Sequence, residues 1–316
     1  MRIMDDAERY RNAILSDCAY YTSGEGISIR YHRWLITKSR PIGTVILLGG
    51  RKEFLEKYNE TAGDLNRMGF DVYSFDWRGQ GLSTRMLSDR SKGFIRDYDE
   101  YLHDLQVFFD TVIPANVLRP IYFLAHSMGA HLALRFLHRR HTKIDGAVLS
   151  APMIDICTAP YPKWMVRLLI LLGFKVGRQD AVVPGSHDRS ERDWHFENNP
   201  LTSDPQRFQV EKRAVEANPD LAVDAVTFAW LSATMNSIDI LKTPGYPEAI
   251  TTPVLIVSAG DDRVVSVKAQ EEVCARMPNC LLTVIPVSRH EILMETDVIR
   301  AKFWKFFRRF TGIDHP

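Results

Sequence analysis

The chain has 316 residues, of which 45% are hydrophobic and 25% charged, and its formal net charge is +1 at pH 7. This composition is typical of a globular protein with a full apolar core, and the near-zero charge argues against nucleic acid as a partner. The four cysteines form no CxxC pair, so we expect neither a metal site nor a disulfide framework, but thiols of a reducing compartment. They are Cys18, Cys157, Cys274 and Cys280.

We expect no signal peptide at the N-terminus and no membrane-spanning helix. The N-terminal stretch MRIMDDAERYRNAIL lacks the long apolar core of a signal peptide. A membrane-spanning helix needs roughly 18 apolar residues, and no window reaches that length. The nearest, WMVRLLILLGF at 164–174, is short and contains Arg167. We therefore expect a cytoplasmic protein and leave open a peripheral contact with the inner face of the membrane.

Short apolar runs alternate with helix-length segments along the chain. Strands are predicted at 27–35, 44–50, 70–76, 120–126, 145–151, 253–260 and 281–287. Helices are predicted at roughly 56–69, 97–113, 128–140, 266–277 and 296–310. Continuous apolar runs separated by helices are typical of a parallel sheet that is covered on both faces and joined by right-handed crossovers. The sequence therefore predicts a doubly wound α/β fold.

The alternation stops between residues 153 and 243, which are rich in tryptophan and proline and helical in tendency. This stretch lies between two predicted strands, so we interpret it as a helical insertion, or cap, on a core made of 1–152 and 244–316. Parallel sheets bind ligands beyond the carboxyl ends of their strands. We expect the insertion to roof that edge of the sheet.

One serine stands where a predicted strand ends and a predicted helix begins, in YFLAHSMGAHL. Ser127 has small residues two positions before and after it, Ala125 and Gly129, which let the two backbones approach closely. This pattern is typical of a nucleophile elbow, which holds the serine hydroxyl exposed on a strained turn. The elbow usually begins with glycine, so Ala125 is a departure. The alternative is that Ser127 only caps the helix.

A serine hydroxyl is a poor nucleophile at neutral pH, so the hypothesis requires an acid and then a base further along the chain. SAGDDRVV follows a predicted strand and offers Asp261 or Asp262 as the acid. SRHEILME follows the next strand and offers His290 as the base. Because the loops leave the same edge of the sheet, we expect the side chains to converge. His126 and His131 are nearer in sequence, but we interpret them as structural.

An acyl-transfer intermediate needs two backbone N–H donors for its oxyanion. Met128 follows the serine at a helix N-terminus and supplies one. The second should come from LLGGRKEF, where Gly49 and Gly50 permit a tight turn and the N–H of Arg51 is the candidate. The Arg51 guanidinium suggests contact with an anionic substrate group such as phosphate. A salt bridge to a carboxylate such as Glu53, or to one in the insertion, is the alternative.

These residues resemble the α/β-hydrolase superfamily, specifically its monoacylglycerol lipase and bacterial lysophospholipase branch. The resemblance runs from about residue 25 to 310. It is carried by LLGGRKEFLEKY, DWRGQGLS, LAHSMGAHLAL, SAPM, NPLTSDPQRF, SAGDDRVV and SRHEIL. Related acid loops place the carboxylate three positions after a small residue, here Ala259, which selects Asp262 and leaves Asp261 as a turn residue. Monoacylglycerol lipases usually have His-Gly where this chain has Gly49-Gly50. This departure favours a lysophospholipase over a monoacylglycerol lipase.

The resemblance implies an α/β-hydrolase fold and hydrolysis of a single-chain acyl ester, with no metal and no cofactor. Ser127 would form a covalent acyl-enzyme, with His290 as base and Asp262 as its orienting acid. The expected substrate is a lysophospholipid. A monoacylglycerol, a small ester, a thioester or a peptide is the alternative on the same triad. A non-catalytic binding protein of the same fold is the alternative from another class.

Candidate substrate-binding residues are predicted from the apolar stretch in the insertion. Trp164 and Leu168 fit a helix that lines an acyl channel or docks on a bilayer, and packing onto the core is an equal alternative.

Two basic motifs have structural interpretations. Arg78 in DWRGQGLS is predicted to pair with carboxylates as a scaffold residue. The C-terminal FWKFFRRF at 303–310 is predicted to pack its aromatic rings on the sheet and leave its cations in water.

Overall fold

The computed structural model describes residues 17–139, 144–186, 195–197 and 199–313. The N-terminal stretch for which no signal peptide is expected lies outside these ranges, as does the last residue of the helix predicted at 128–140. Ten strands are described. They are β1 (Ala19–Thr22), β2 (Ser28–Trp34), β3 (Gly43–Leu48), β4 (Phe70–Phe75), β5 (Lys92–Gly93), β6 (Ile121–His126), β7 (Gly146–Ser150), β8 (Ala225–Val226), β9 (Val254–Ala259) and β10 (Cys280–Ile285).

Eight of the described strands form one sheet in the order β1-β2-β4-β3-β6-β7-β9-β10. The pairs β1–β2 and β2–β4 are antiparallel, and every pair from β4 to β10 is parallel. β6 lies inside the sheet, with β3 on one side and β7 on the other. The loops that follow β3, β6, β9 and β10 therefore leave the same edge, which is where the predicted site residues come from.

Helices cover both faces of the sheet. They are α1 (Asn59–Arg67), α2 (Tyr98–Thr111), α3 (Ser127–Arg139), α4 (Lys163–Lys175), α5 (Pro205–Ala217), α6 (Phe228–Lys242), α7 (Val267–Cys274) and α8 (Asp297–Thr311). Alternate residues of β3 face opposite layers, as the pleat requires. Ile46 and Leu48 join the core shared with α2, α3 and α7, whereas Val45 and Leu47 join the core shared with α1 and α8. The predicted doubly wound fold is confirmed.

The 153–243 segment contributes α4, α5 and α6, and it contacts the core through short backbone pairings. β8 pairs in parallel with β5, which follows β4 in the chain. Arg207 in α5 is 3% exposed and forms ion pairs with Glu60 of α1 and Asp297 of α8. The segment therefore touches both the β4–α2 connection and the outer helices.

Each of the seven strands and five helices predicted from the sequence overlaps an observed element. The sequence missed β1, β5 and β8, which have four, two and two residues. Elements this short present no period that could be recognised in a sequence. Their pairing is decided by the neighbouring backbone.

The expectation that the cysteines form no disulfide is wrong for one pair. Cys274 and Cys280 are joined by a disulfide, whereas Cys18 and Cys157 are free thiols. Cys274 ends α7 and Cys280 begins β10, and the turn between them brings the two Cα atoms to 5.4 Å. The absence of a CxxC pair does not exclude a disulfide, because a helix-to-strand turn closes this separation of six residues.

The two basic motifs have the structural roles predicted for them. The guanidinium of Arg78 donates to both carboxylate oxygens of Asp104, each at 2.6 Å, and to Glu100. In α8, Phe303 and Phe307 are fully buried in the core beneath the sheet. Lys305 and Arg309 of the same helix are exposed. Among the described helices, none has the length and apolar character needed to cross a membrane.

His131 joins α3 to α6 inside the protein. Its Nδ1 lies 3.0 Å from the carbonyl oxygen of Met153 and its Nε2 lies 2.6 Å from the hydroxyl of Ser237. Because a carbonyl only accepts, Nδ1 carries the proton and Nε2 accepts from Ser237. Burial, together with the charge of Arg135, lowers the pKa of His131 to about 3.

We expect His131 to make the protein less stable as the pH falls from 7 to 5. The unfolded chain takes up a proton on this histidine near pH 6.5, whereas the folded protein does so only near pH 3. The folded state therefore loses about 2 kcal/mol relative to the unfolded state by pH 5. Urea unfolding at several pH values should show a shallower dependence for His131→Gln than for the wild type. His103→Gln, at an exposed position of α2, should keep the wild-type dependence. Equal dependence in His131→Gln and wild type would contradict the assignment.

Candidate active site

Ser127 lies on a sharp turn between β6 and α3. Its φ is 50°, in the left-handed region that residues with a Cβ seldom adopt. Gly129 allows the turn, because a Cβ there would overlap the carbonyl oxygens of Leu48 and Gly49. Ala125 is fully buried in the core, so the methyl group that departs from the usual elbow pattern is accommodated. The geometry is that of a nucleophile elbow, not of an ordinary helix cap.

The structure brings Ser127, His290 and Asp262 together, although they are far apart in sequence. The Nε2 of His290 lies 2.9 Å from Oγ of Ser127, and its Nδ1 lies 2.7 Å from Oδ2 of Asp262. Ser127 is 7% exposed and His290 is 4% exposed. The carboxylate can only accept, so Nδ1 carries the proton and Nε2 can accept from the serine.

Asp262, not Asp261, contacts the histidine. The second carboxylate oxygen of Asp262 accepts from the amides of Val264 and Val265, at 2.8 and 2.9 Å. Burial opposes the charged form of Asp262, but the bonds from His290 and from these amides outweigh it and lower the pKa of the carboxyl. Asp261 is exposed and lies 3.4 Å from Arg263. The sequence preference for Asp262 thus agrees with the contacts.

The residues that follow β3 pack against the serine. We call Gly49–Glu53 the oxyanion loop, after the oxyanion donor that is predicted within it. A Cβ on Gly50 would lie 3.2 Å from Cβ of Ser127, so the loop backbone approaches the serine closely. The amide of Gly50 donates to Glu53, and the amide of Lys52 donates to Gln80. These bonds fix the backbone on both sides of Arg51, whose amide is the predicted oxyanion donor alongside that of Met128.

A buried group of charges lies behind the oxyanion loop. The ammonium of Lys57 is 2.9 Å from Glu53 and 2.7 Å from Glu291, the residue after the proposed base. Burial disfavours a charged Glu53, but Lys57, His126 and the hydroxyl of Tyr58 outweigh it and lower the pKa of this carboxyl. The charged carboxylate can therefore hold the amide of Gly50.

Glu53, His126 and Glu291 also have the spacing of metal ligands. One ligand atom from each lies within 4.8 Å of the others. The Lys57 ammonium already contacts both carboxylates, so a lysine supplies the positive charge in this cluster. Burial lowers the pKa of His126 to about 4, which leaves it neutral at pH 7.

The histidines near the serine take the structural positions that were expected. The Nδ1 of His126 lies 3.2 Å from the carbonyl oxygen of Ser150, and its ring centroid is 4.9 Å from that of His290. His131 contacts Met153 and Ser237, as described above. Neither imidazole is within hydrogen-bonding distance of Ser127 in the described contacts.

The described contacts of the Arg51 guanidinium are with backbone carbonyls and an aromatic ring, and the alternative of a salt bridge to a carboxylate such as Glu53, or to one in the insertion, stays untested. The Nη2 of Arg51 donates to the carbonyl oxygens of Asp224 and Ala225, at 2.9 and 3.1 Å, and the guanidinium lies 4.9 Å over the ring of Trp230. These contacts lie in the 153–243 segment. The suggested contact of Arg51 with a substrate phosphate stays a prediction.

The two apolar residues predicted to contact substrate lie on the outer side of α4. Trp164 is 67% exposed and Leu168 is 47% exposed, so the alternative that they pack onto the core is wrong. Ile170 and Gly173 lie on the opposite, buried side of the helix, where a Cβ on Gly173 would overlap the ring of Phe228 in α6. Their role towards substrate or membrane stays a prediction.

The same segment contacts the loop that carries His290. The amide of Glu291 donates to the carbonyl of Leu201 at 2.8 Å, and the hydroxyl of Thr202 donates to the carbonyl of Met294 at 2.6 Å. Arg289 donates to the carbonyl of Thr202 at 2.8 Å. The NPLTSDPQRF stretch therefore supports the proposed base from one side.

A mostly parallel sheet that carries Ser127, Asp262 and His290 in this chain order at its carboxyl edge is the arrangement of an α/β-hydrolase. A family model supports the same class at the level of sequence. The Hydrolase_4 family, described as serine aminopeptidase, S33, matches residues 39–297. The chain belongs to this family, and it is a hydrolase.

Individual relatives agree with the family. A probable lysophospholipase L2 of Haemophilus influenzae is 31% identical over 296 residues, which cover 93% of this chain and 91% of the relative. Lysophospholipase L2 of Escherichia coli K12 is 30% identical over 90% of this chain and 84% of the relative. Among solved structures, a soluble variant of monoglyceride lipase from Saccharomyces cerevisiae is similar in fold. It has a TM-score of 0.75 at 21% identity and covers 94% of this chain and 95% of that structure.

Several residues of the site were not found from the sequence. Lys57 and Glu53 are spaced as an i,i+4 pair in KEFLEKY, a signal that could have indicated their contact. Trp230 and Gln80 carried no such signal. Both reach the oxyanion loop from parts of the chain whose proximity depends on the tertiary fold.

Proposed function

We propose that this protein is a serine ester hydrolase that cleaves lysophospholipids through an acyl-enzyme on Ser127. The observation that carries the proposal is the hydrogen-bonded chain from Ser127 through His290 to Asp262, with the serine held at a positive φ. A serine at such an elbow, bonded to an imidazole that is oriented by a carboxylate, is the arrangement needed for nucleophilic attack on an acyl group.

The proposed reaction begins with attack of the Ser127 hydroxyl on the ester carbonyl, while Nε2 of His290 takes the hydroxyl proton. Asp262 holds the imidazole in the tautomer that accepts this proton and stabilises the imidazolium that forms. The amides of Arg51 and Met128 donate to the oxyanion, and each such donor is typically worth about 3 to 4 kcal/mol. The imidazolium then protonates the leaving alcohol, and water activated by His290 releases the fatty acid.

The choice of a lysophospholipid rests on the relatives and on the oxyanion loop. The two lysophospholipases cover 90% or more of this chain at 30% identity or above. The likeness to the monoglyceride lipase structure has only 21% identity and therefore bears on the fold alone. The oxyanion loop here begins Gly49-Gly50-Arg51, whereas monoacylglycerol lipases usually have His-Gly in place of Gly49-Gly50. This departure favours a lysophospholipase. A monoacylglycerol is the alternative substrate.

The 153–243 segment is proposed to act as the cap over this site, and α4 as its contact with lipid aggregates. Large apolar side chains are exposed along α4. These exposed residues are Trp164, Leu168, Leu171, Leu172 and Phe174. Lys163, Arg167 and Lys175 of the same helix are basic, and none of its residues is acidic. An apolar helix face with basic neighbours suits the interface of an anionic bilayer, and lysophospholipids reside in such an interface.

The substrate assignment is tested by measuring fatty-acid release from a lysophospholipid and from a monoacylglycerol with the same acyl chain. We expect faster release from the lysophospholipid, and no release from either by Ser127→Ala. Faster release from the monoacylglycerol would contradict the head-group assignment and leave the triad in place. Turnover of short p-nitrophenyl esters without release from either lipid would reassign the enzyme to small esters or thioesters.

A further inference from the structure

The side chain of Arg51 leaves the oxyanion loop and ends on the 153–243 segment. Its Nη2 donates to the backbone carbonyls of Asp224 and Ala225, so the contact requires the β8 backbone in its present place. The guanidinium lies 4.9 Å from the centre of the Trp230 ring, within the range of a cation–π interaction. Arg51 thus links two parts of the protein. Its amide is the proposed oxyanion donor, and its side chain contacts a strand and a helix of the 153–243 segment.

Trp230 is itself held firmly. It is 6% exposed in the first turn of α6, and its amide donates to the hydroxyl of Thr227, which caps that helix, at 3.2 Å. The ring of Tyr98 in α2 lies next to that of Trp230, with the two ring centroids 6.4 Å apart. The hydroxyl of Thr227 donates in turn to the carbonyl of Gly93 in β5, at 2.7 Å. The Trp230 ring is therefore buried and held in place beneath the Arg51 guanidinium.

The backbone of the oxyanion loop depends on its side contacts. Lys52 has a φ of 57°, an unfavourable value for a residue with a Cβ. The bonds from Gly50 to Glu53 and from Lys52 to Gln80 hold the loop from the core side. The guanidinium of Arg51 holds it from the side of the 153–243 segment. An oxyanion donor acts only when it is placed accurately, and a displacement of about 1 Å can lower a rate about 100-fold.

We propose that Trp230 is a positioning residue for the oxyanion hole and acts through the guanidinium of Arg51. The inference rests on the proposed function, because it takes the Arg51 amide as an oxyanion donor. It assigns the Arg51 side chain to the 153–243 segment and not to the substrate head group. Loss of the contact should therefore slow the acyl-transfer step equally for substrates with and without a phosphate.

The test uses the full-length protein and the variants Trp230→Leu and Arg51→Met, with p-nitrophenyl butyrate, a lysophospholipid and a monoacylglycerol as substrates. We expect kcat to fall about 10- to 100-fold in both variants, and KM to change less than about threefold. Binding of an acyl trifluoromethyl ketone, which forms an oxyanion on Ser127, should weaken by the same factor as kcat. Binding of an ether analogue, which forms none, should stay unchanged.

Two further variants separate positioning from general damage to the fold. Trp230→Phe keeps an aromatic face under the guanidinium and should restore kcat to within about threefold of the wild type. Tyr246→Leu removes another cation–π contact, the one at 5.9 Å from Arg135, and should leave the ratio of ketone to ether binding unchanged. Thermal unfolding of each variant gives the folded fraction with which kcat is corrected.

Unchanged kcat and ketone binding in Trp230→Leu would overturn the proposal. So would a loss in Arg51→Met that is confined to the lysophospholipid, because that result would place the guanidinium at the head group. Failure of the proposed function gives a different result, namely no difference between wild type and Ser127→Ala on any ester. The ketone and p-nitrophenyl butyrate measurements do not depend on which lipid is preferred, so a preference for monoacylglycerol leaves the inference intact.

Discussion

Replacing Ser127 with alanine is expected to lower ester turnover by about 10⁴- to 10⁶-fold, the range found when a serine nucleophile is removed. The hydroxyl of Ser127 lies 2.9 Å from Nε2 of His290, and its loss removes the group proposed to form the acyl-enzyme. Steady-state kinetics with p-nitrophenyl butyrate measures the effect. Labelling with a fluorophosphonate, which should modify the wild type at Ser127 and leave the variant unlabelled, measures it independently.

The matched control is Ser39→Ala, at an exposed loop position, which should retain wild-type turnover and labelling. Ser127→Gly provides a second comparison. Glycine relieves the backbone at a φ of 50°, so this variant should be about 1 kcal/mol more stable than Ser127→Ala and equally inactive. Labelling that persists in Ser127→Ala would move the nucleophile elsewhere. A wild type that is neither labelled nor active would favour a non-catalytic binding protein.

Asp262→Asn is expected to lower kcat by about 10⁴-fold with little change in the fold. An asparagine amide can donate to Nδ1 of His290, which stabilises the tautomer with its proton on Nε2 and prevents that nitrogen from accepting the serine proton. The side-chain oxygen that remains can still accept from the amides of Val264 and Val265, so the loop should keep its shape. Steady-state kinetics and thermal unfolding, measured together, separate the two effects.

The neighbouring aspartate gives this experiment its control. Asp261→Asn removes one negative charge from the same loop, but that carboxylate is exposed and lies 3.4 Å from Arg263. An exposed ion pair of this kind is worth little, so kcat should stay within about twofold of the wild type. If Asp261→Asn were the inactive variant and Asp262→Asn the active one, the proposed acid would be wrong.

The fold was predictable because its central strands are continuous apolar runs. β3, β6 and β9 are buried on both faces of the sheet and show as short blocks of hydrophobic residues between helices. The four-residue β1 and the two-residue β5 and β8 were not predictable, because their pairing depends on distant backbone. The Cys274–Cys280 disulfide was missed for a related reason, since a turn between a helix and a strand decides whether those thiols meet.

The residues of the candidate site could be named from the sequence because each follows a strand of one parallel sheet. Parallel strands end at the same edge, so the order of Ser127, Asp262 and His290 along the chain was enough to predict that they converge. The choice of Asp262 over Asp261 needed the resemblance to related loops. The contact of Asp262 with Nδ1 of His290 agrees with that choice.

The sequence by itself therefore determined the doubly wound architecture and the places of Ser127 and His290 after its strands, since these follow from local periodicity and from the order of strands. The choice of Asp262 also needed the resemblance to related loops. Only the tertiary structure decided where the Arg51 side chain ends, that Lys57 meets Glu291 and that Trp230 lies beneath the guanidinium. Those contacts join residues up to 234 positions apart. The contacts of Arg51 depend on how the 153–243 segment packs over the oxyanion loop, and packing between distant segments leaves no local pattern in a chain.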